Sequence, residues 1–394
     1  MTGATREPLA GPDETHPTDQ PVRAVSGEAE RAPEQGVALC LSGGGYRAML
    51  FHTGVLWRLS EAGMLPRLDR VSSVSGGSLT AGVLGKNWPH LAFDAQGVAT
   101  QFVSQVVEPL RAMARRHVDI TSIALGLGLP FTSISDSVVK AYRRDLFGKA
   151  TLQDLPDTPR FVINATNLES GVLMRFSRPY LADHRVGRVA NPDLPLAVAV
   201  AASSAFPPFL SPCTVDLTHE AWLTDPGNDL ATPEFRGEIR LSDGGVYDNL
   251  GLETAWKRYS TILVSDAGGH LGADAEPPVD WPRHMLRVLH VIDNQVRSLR
   301  KRQVIEAFRA GTRTGMYVGI RSDPAQYPVP DPIPVDPTVA LQLAAVPTRL
   351  DALDDALQER LVNWGYAICD TGLRAYVSPG QAPGRLPYPD RKLE

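Results

Sequence analysis

The chain opens its first readable element with a continuous apolar run, Val37-Ala-Leu-Cys-Leu41, closed by Ser42-Gly43-Gly44-Gly45. This is the pattern of a strand buried on both faces that leaves its sheet at a glycine turn. The spacing predicts a helix from about Arg47 to Ala62, with Met49, Leu56 and Leu59 facing inward and Gly63 and Pro66 as the stop. The strand pattern returns at Arg70-Val-Ser-Ser-Val74, turns through Ser75-Gly76-Gly77-Ser78, and passes into a second helix from Leu79 to about Leu84. Further strand-like runs lie at Phe161 to Ala165, Ile239 to Ser242 and Thr261 to Ser265, with helical patterns between them, notably Met285 to Ala310. Alternating strands and helices predict an α/β fold whose mainly parallel central sheet is covered by helices on both faces.

Three segments stand apart from this alternation. Residues 1–34 hold five prolines, no aromatic residue, and three arginines against seven acidic residues. Such a segment has too little apolar surface to offset its ordering entropy, so it reads as a disordered acidic tail. Pro324 to Pro337 contains six prolines and reads as an extended connector to a C-terminal helical cap, Pro347 to Tyr376, packed on the same domain. The expected division is therefore a tail over 1–34, a catalytic domain over 35–323, and a connector with cap over 324–394. Ile120 to Phe131 is apolar and flanked by Arg115-Arg116 and Arg143-Arg144. It reads equally as a mobile cover opening onto lipid or as a core segment.

Composition narrows the function. With 43% hydrophobic and 21% charged residues among 394, the chain is globular, and its formal net charge of -5 gives no electrostatic reason to bind nucleic acid. Three separated cysteines, Cys40, Cys213 and Cys369, suit neither a disulfide framework nor a zinc site and point to a reducing compartment. No basic stretch followed by an apolar core marks the start of the chain, so export by a cleaved signal is not expected.

The candidate chemistry lies at the strand ends. Val71-Ser-Ser-Val-Ser75-Gly-Gly-Ser-Leu79 has the form of a nucleophile elbow, with small residues relieving crowding between strand and helix. Taken alone, such a serine is more often a helix cap. Ser42-Gly43-Gly44-Gly45 should converge its amides at a helix start and favour negative charge there. It fits neither the phosphate-loop nor the dinucleotide pattern, which leaves an oxyanion hole as the better reading. Ser242-Asp243-Gly244-Gly245 places a carboxylate at a third strand end, where an Asx turn is the bland alternative. Their co-occurrence in this order outweighs the separate alternatives.

Together these motifs resemble the patatin-like phospholipases, which share elements with cytosolic phospholipase A2. Ser42-Gly-Gly-Gly-Tyr-Arg-Ala48 looks like the family's oxyanion loop. Asp69-Arg-Val-Ser-Ser-Val-Ser75-Gly-Gly77 lines up with its elbow, Asp243-Gly244-Gly245 with its D-G-[GA] motif, and Ala201-Ala-Ser-Ser-Ala-Phe-Pro-Pro208 with the segment before it. The resemblance covers about Val37 to Gly269 and implies a three-layer patatin-like core. It implies Ser75 as nucleophile, Asp243 as base, Gly43, Gly44 and Gly45 as oxyanion hole, and Arg47 as a residue that holds a lipid phosphate or orders the loop. Ser73 stands where the family usually has glycine, which leaves Ser78 as a rival nucleophile.

The implied activity is that of a serine lipid acyl hydrolase acting through an acyl-enzyme, without cofactor or metal. Its alternatives are an acyltransferase with the same dyad and a catalytically silent lipid-binding protein. A Ser-Asp dyad is demanding, because an aspartate with an ordinary pKa near 3.9 is a weak base for a hydroxyl; burial would raise it. His52 and His270 keep a histidine triad open. Asp266, Asn164 and Asn167 also sit at strand ends, where turn roles are commoner. Arg297-Ser-Leu-Arg-Lys-Arg302 reads either as a solvated helix face or as a contact for anionic headgroups. The expected partner is a lipid or phospholipid substrate, and the expected location cytoplasmic with peripheral contact to a membrane.

Overall fold

The computed structural model describes residues 33–118, 131–208 and 210–394. The expectations for the acidic tail and for the apolar stretch after Ile120 fall almost wholly outside those residues. Among the described residues eleven strands form one sheet: β1 (Glu34–Leu41), β2 (Arg70–Val74), β3 (Arg160–Asn167), β4 (Leu173–Ser177), β5 (Tyr180–Asp183), β6 (Gly187–Ala190), β7 (Cys213–Asp216), β8 (Trp222–Leu223), β9 (Glu238–Asp243), β10 (Tyr259–Asp266) and β11 (Thr314–Gly319). Its longer helices are α1 (Gly45–Glu61), α2 (Gly76–Lys86), α3 (Glu108–Ala114), α4 (Phe131–Tyr142), α5 (Leu196–Ser203), α6 (Trp281–Arg309), α7 (Pro337–Ala345) and α8 (Asp355–Gly372).

The centre of the sheet, in the order β11-β10-β1-β2-β3, is parallel throughout, with Leu39 paired to both Val71 and Leu263. This is the α/β core that the apolar runs predict. Beyond β3 the sheet continues through antiparallel strands β4, β5, β6 and β8. The apolar pattern did not show this extension, because strands of two to five residues are too short to establish a period. The run at Ile239 to Ser242 belongs to β9, which is antiparallel to both β3 and β7.

The edge that β9 takes decides the architecture of the site. β3 pairs with β4 over Ile163 to Thr166 and with β9 over Ala165 to Asn167, so β9 must lie along the opposite edge from β4. That edge is the one β2 occupies from Arg160 to Asn164. β2 ends with Val74 opposite Asn164, and β9 ends with Asp243 opposite Ala165. Two strands from distant parts of the chain thus run toward each other along one edge of β3 and stop head to head.

α1 is buried along nearly its whole length, because the sheet covers one side and α8 the other. The two helices cross backbone against backbone. A Cβ on Gly54 would lie 1.9 Å from the Val362 carbonyl oxygen, and one on Gly365 would lie 1.9 Å from that of Phe51. The crossing is pinned by the buried Arg58–Asp370 ion pair at 2.8 Å and by Trp364, whose indole N–H donates to the Ile320 carbonyl at 2.8 Å. Gly365→Ala should therefore force the helices apart and lower Tm by roughly 1–4 °C, as overpacking of about 1–3 kcal/mol implies for a chain of this length. Gly380→Ala, where a Cβ meets nothing within 4 Å, should leave Tm unchanged. Equal melting of both variants would show that the helices do not approach this closely.

Candidate active site

Ser75 sits between β2 and α2 with φ 53° and ψ -122°, a backbone conformation that non-glycine residues avoid. Such strain costs on the order of 1–3 kcal/mol and persists only where the surroundings enforce it. They do so by close approach. A Cβ on Gly76 would lie 2.2 Å from the Gly45 carbonyl, and one on Gly77 would lie 2.5 Å from that of Leu41. The Ser75 amide donates to Ser203 Oγ at 3.0 Å, fixing the elbow from the third side.

Ser78, the rival nucleophile, is placed differently. It is fully buried, whereas Ser75 keeps 9% exposure. Its hydroxyl lies 3.0 Å from Ser73 Oγ and 2.8 Å from Ser203 Oγ, and Ser203 donates to the Asn164 carbonyl at 2.7 Å. The serine that departs from the family pattern, Ser73, is therefore accommodated as one member of a closed polar chain. Ser72 belongs to a second such group, accepting from Asn164 Nδ2 at 3.0 Å and from Thr254 Oγ1 at 2.9 Å. These contacts satisfy the hydroxyls of Ser72 and Ser73 although all five residues of β2 are buried.

Asp243 ends β9 and is 2% exposed. Its Oδ1 accepts the Gly245 amide at 2.7 Å, while Oδ2 is buried without a hydrogen-bond partner. Burial pushes its pKa up to about 7; the Gly245 amide and the nearby Ser75 hydroxyl pull the other way, and Asp293 adds to the rise. Ser75 is thus near enough to favour the carboxylate without completing a short hydrogen bond to Oδ2.

The glycine loop presents its amides unevenly. Gly43 donates to the Asn249 carbonyl at 3.1 Å, so its N–H is already engaged. Among the described residues the amides of Gly44, Gly45 and Gly76 make no hydrogen bond, as is usual for the first turns of helices. The starts of α1 and α2 abut, and their positive ends favour an anion between them. Gly44 and Gly45 hold φ of 140° and 60°, and a Cβ at Gly44 would lie 2.7 Å from the Ala267 carbonyl.

Arg47 does not reach toward a ligand. It is 2% exposed and donates to the carbonyls of Ala344 and Val346, both at 2.8 Å, and Ala267 at 2.6 Å. The reading of Arg47 as a substrate-binding residue is therefore corrected: its guanidinium orders the loop by tying it to the C-terminal segment. Neither of the two candidate histidines hydrogen-bonds Ser75 or Asp243. His52 is fully buried between Ser265 Oγ at 2.7 Å and the Ser42 carbonyl at 2.9 Å, and burial pushes its pKa down to about 4. His270 is exposed beyond β10. Asn164 ties β3 to β2, Asn167 donates to Asp183 at 2.9 Å, and Asp266 accepts from the Tyr317 hydroxyl at 2.6 Å.

Sequence reasoning passed over two residues of this neighbourhood. Ser203 lies in the small-residue segment before Pro207, where no role could be assigned without knowing that α5 ends beside the elbow. Asn249 follows Gly245 by one helical turn, a spacing that returns its side chain to the glycine: a Cβ on Gly245 would meet its Oδ1 at 2.7 Å, and one on Gly43 at 2.3 Å.

The patatin-like phospholipase family model matches residues 39–256, more than half of the chain. The protein belongs to the patatin-like phospholipase family. No curated protein matches it. Similar solved structures include human GIVD cytosolic phospholipase A2 in complex with methyl gamma-linolenyl fluorophosphonate, at 14% identity and TM-score 0.44, covering 86% of this chain and 57% of that one. VipD from Legionella pneumophila matches at 15% identity and TM-score 0.32, covering 88% and 68%. Full-length ExoU from Pseudomonas aeruginosa, solved in complex with SpcU, matches at 18% identity and TM-score 0.22, covering 45% and 39%. The chain spans 45% and 57% of the length of two human phospholipase A2 structures that it matches.

The buried carboxyl has a consequence for stability. Because burial raises Asp243 above its unfolded value, the native state binds this proton more tightly than the unfolded chain. Its contribution is fully present below about pH 4 and is lost as pH rises through about 7. Asp243→Asn, which cannot ionise, should melt a few degrees higher than the native protein at pH 8, with the difference shrinking toward pH 5. A variant that melts lower at pH 8 would show that the carboxylate is not destabilised in the native site.

Proposed function

We propose that the protein is a serine lipid acyl hydrolase in which Ser75 is the nucleophile and Asp243 its base. The observation that carries this reading is the head-to-head meeting of β2 and β9, which brings a strained serine beside a buried carboxyl. Asp243, raised to about 7, is a far better proton acceptor than an ordinary aspartate and is still ionised to a useful extent near neutrality.

In the first half-reaction Asp243 takes the Ser75 proton as Oγ attacks the ester carbonyl. The amides of Gly44, Gly45 and Gly76 receive the charge that develops on the carbonyl oxygen; Gly43 is left out because its N–H is engaged. Collapse expels the alcohol, which leaves with the proton held by Asp243, and the acyl group stays on Ser75. Water then attacks the acyl-enzyme with Asp243 again accepting a proton, and the acid is released.

Residues 324–394 form part of the catalytic unit in this reading, since the Tyr46 amide at the base of the glycine loop donates to the Arg349 carbonyl at 3.0 Å. Contact with a lipid surface is supported by the first half of α6. Trp281, Met285, Leu289 and Ile292 are 75%, 42%, 45% and 54% exposed there, beside Arg283 and Arg287. No described helix is long and apolar enough to cross a membrane.

Two measurements test the dyad. Ser75→Ala should abolish covalent labelling by a fluorophosphonate probe, and Ser78→Ala should leave the label in place; the opposite result would move the nucleophile to Ser78. For a soluble ester, kcat/KM should rise with pH along a single limb centred near 7, because the base must be unprotonated. A limb near 4 would mean that the base is an unperturbed carboxylate.

A further inference from the structure

A polar cavity of about 140 Å³ opens at the carboxyl ends of β10 and β11 under the middle of α6. Arg297 and Lys301 enter it from α6, Arg321 from the loop after β11, and His270 from the loop after β10; Asp266 and Tyr317 are also in its wall. Arg300 on the same helix pairs with Glu253 at 2.8 Å. Among the described residues Arg297, Lys301 and Arg321 pair with no carboxylate within 4.0 Å. Lys301 lies over the Tyr317 ring at 4.8 Å. Asp266, the one acidic group in the wall, is already held by the Tyr317 hydroxyl and by the Gly268 amide at 2.8 Å. Gly268 lets the guanidinium approach, since a Cβ there would lie 2.5 Å from Arg297 Nη1. The cavity therefore gathers three cations against one carboxylate in its wall; Arg297 gives one donor to Asn294 Oδ1 at 3.4 Å and lies in the field of Asp293, which leaves Lys301 and Arg321 with donors to give.

Its position gives this charge a use. Asp266 and Gly268 flank Ala267, whose amide donates to Ser42 Oγ at 2.8 Å and whose carbonyl accepts from Arg47 while backing Gly44. The cavity and the glycine loop are thus two sides of one short piece of backbone. Arg47 is committed to that backbone, so the recognition of an anion falls to other residues. A cavity of this size suits a phosphate with its ester oxygens and is too small for a whole lipid. Lysine and arginine together with free N–H donors form the strong, charge-assisted hydrogen bonds that phosphate oxygens accept.

We propose that this cavity is a phosphate-binding site, and that the group it takes is the headgroup phosphate of the lipid whose ester is presented to Ser75. The second clause rests on Ser75 being the nucleophile, and it defines the substrate class as phospholipid instead of neutral acylglycerol.

The experiment compares the native chain with Lys301→Met/Arg321→Gln, both exposed positions whose exchange spares the core. Inorganic phosphate at fixed ionic strength should raise the Tm of the native protein and not that of the variant. The rate ratio between a short-chain diacyl phospholipid and an uncharged p-nitrophenyl ester should fall about tenfold or more in the variant, as the loss of one charge-assisted hydrogen bond of about 1.5–3 kcal/mol implies. Both results together establish the proposal. Loss of the phosphate response with an unchanged ratio overturns the headgroup assignment and leaves a site for free phosphate. No phosphate response in the native protein overturns the site itself. Fluorophosphonate labelling of Ser75 is scored in the same preparations. Its absence would bring down the nucleophile reading, and the headgroup clause with it, while the phosphate response decides the cavity independently.

Discussion

The structure depends on how one edge of β3 is shared. A parallel strand ordinarily occupies the full length of its neighbour, but β2 stops with Val74 opposite Asn164, and the next position on that edge, Ala165, is taken by Asp243 arriving from the opposite direction on β9. Neither strand can extend without displacing the other. Each must leave the sheet at once, and the residues at the junction must be small: a Cβ on Gly244 would lie 2.3 Å from the Asn164 carbonyl and 3.2 Å from Val74 Cγ1. The serine elbow and the D-G-G turn are therefore two solutions to one steric problem, and their side chains meet because their backbones do.

The junction is held by polar groups in a place where apolar packing would ordinarily serve. Ser73, Ser78 and Ser203 close their hydroxyls on one another and on the Asn164 carbonyl, and Ser203 also receives the Ser75 amide. Hydroxyls are compact, and each can donate and accept within a small volume, which lets α2 and α5 approach β2 as closely as the glycines require. A buried network of this kind is stable only when every member is satisfied. Here the hydroxyls are satisfied by one another, whereas Asp243 Oδ2 and Asn164 Oδ1 are not, so the carboxyl beside Ser75 carries an unsatisfied polar atom of the junction.

The strand ends were legible in the sequence because each is written locally: an apolar run, then a serine or aspartate among glycines. The parallel core followed from the same runs. What local patterns could not carry is register. Val74 and Asn164 are ninety residues apart, and Asp243 is nearly eighty residues further on, so their meeting depends on which edge β9 chooses after an antiparallel excursion through strands too short to be read. The choice between the two roles of Arg47, a phosphate ligand or a residue that orders the loop, was open for the same reason. An arginine beside a glycine loop is an anion ligand by local logic, yet its carbonyl partners at Ala344 and Val346 come from almost three hundred residues away. Gly43 is similar: its amide is lost to Asn249, a residue that no motif of the loop announces.

These long-range ties also explain how the site can tolerate its own instability. A carboxyl buried beside the junction and a serine at positive φ each raise the energy of the native state. The helices that carry the glycine loop and the C-terminal segment counter this from outside the site, since α1 and α8 cross backbone to backbone and fix the Arg58–Asp370 pair between them. Arg47 links that rigid pair of helices to the loop after β10, and so to the glycine loop and the cationic cavity at once. Its role is to keep both sides of the Ala267 backbone in one position. A guanidinium fixed by three carbonyls is suited to that task because its planar donors set direction as well as distance, and the same commitment leaves Lys301 and Arg321 as the cations of that cavity with donors still available.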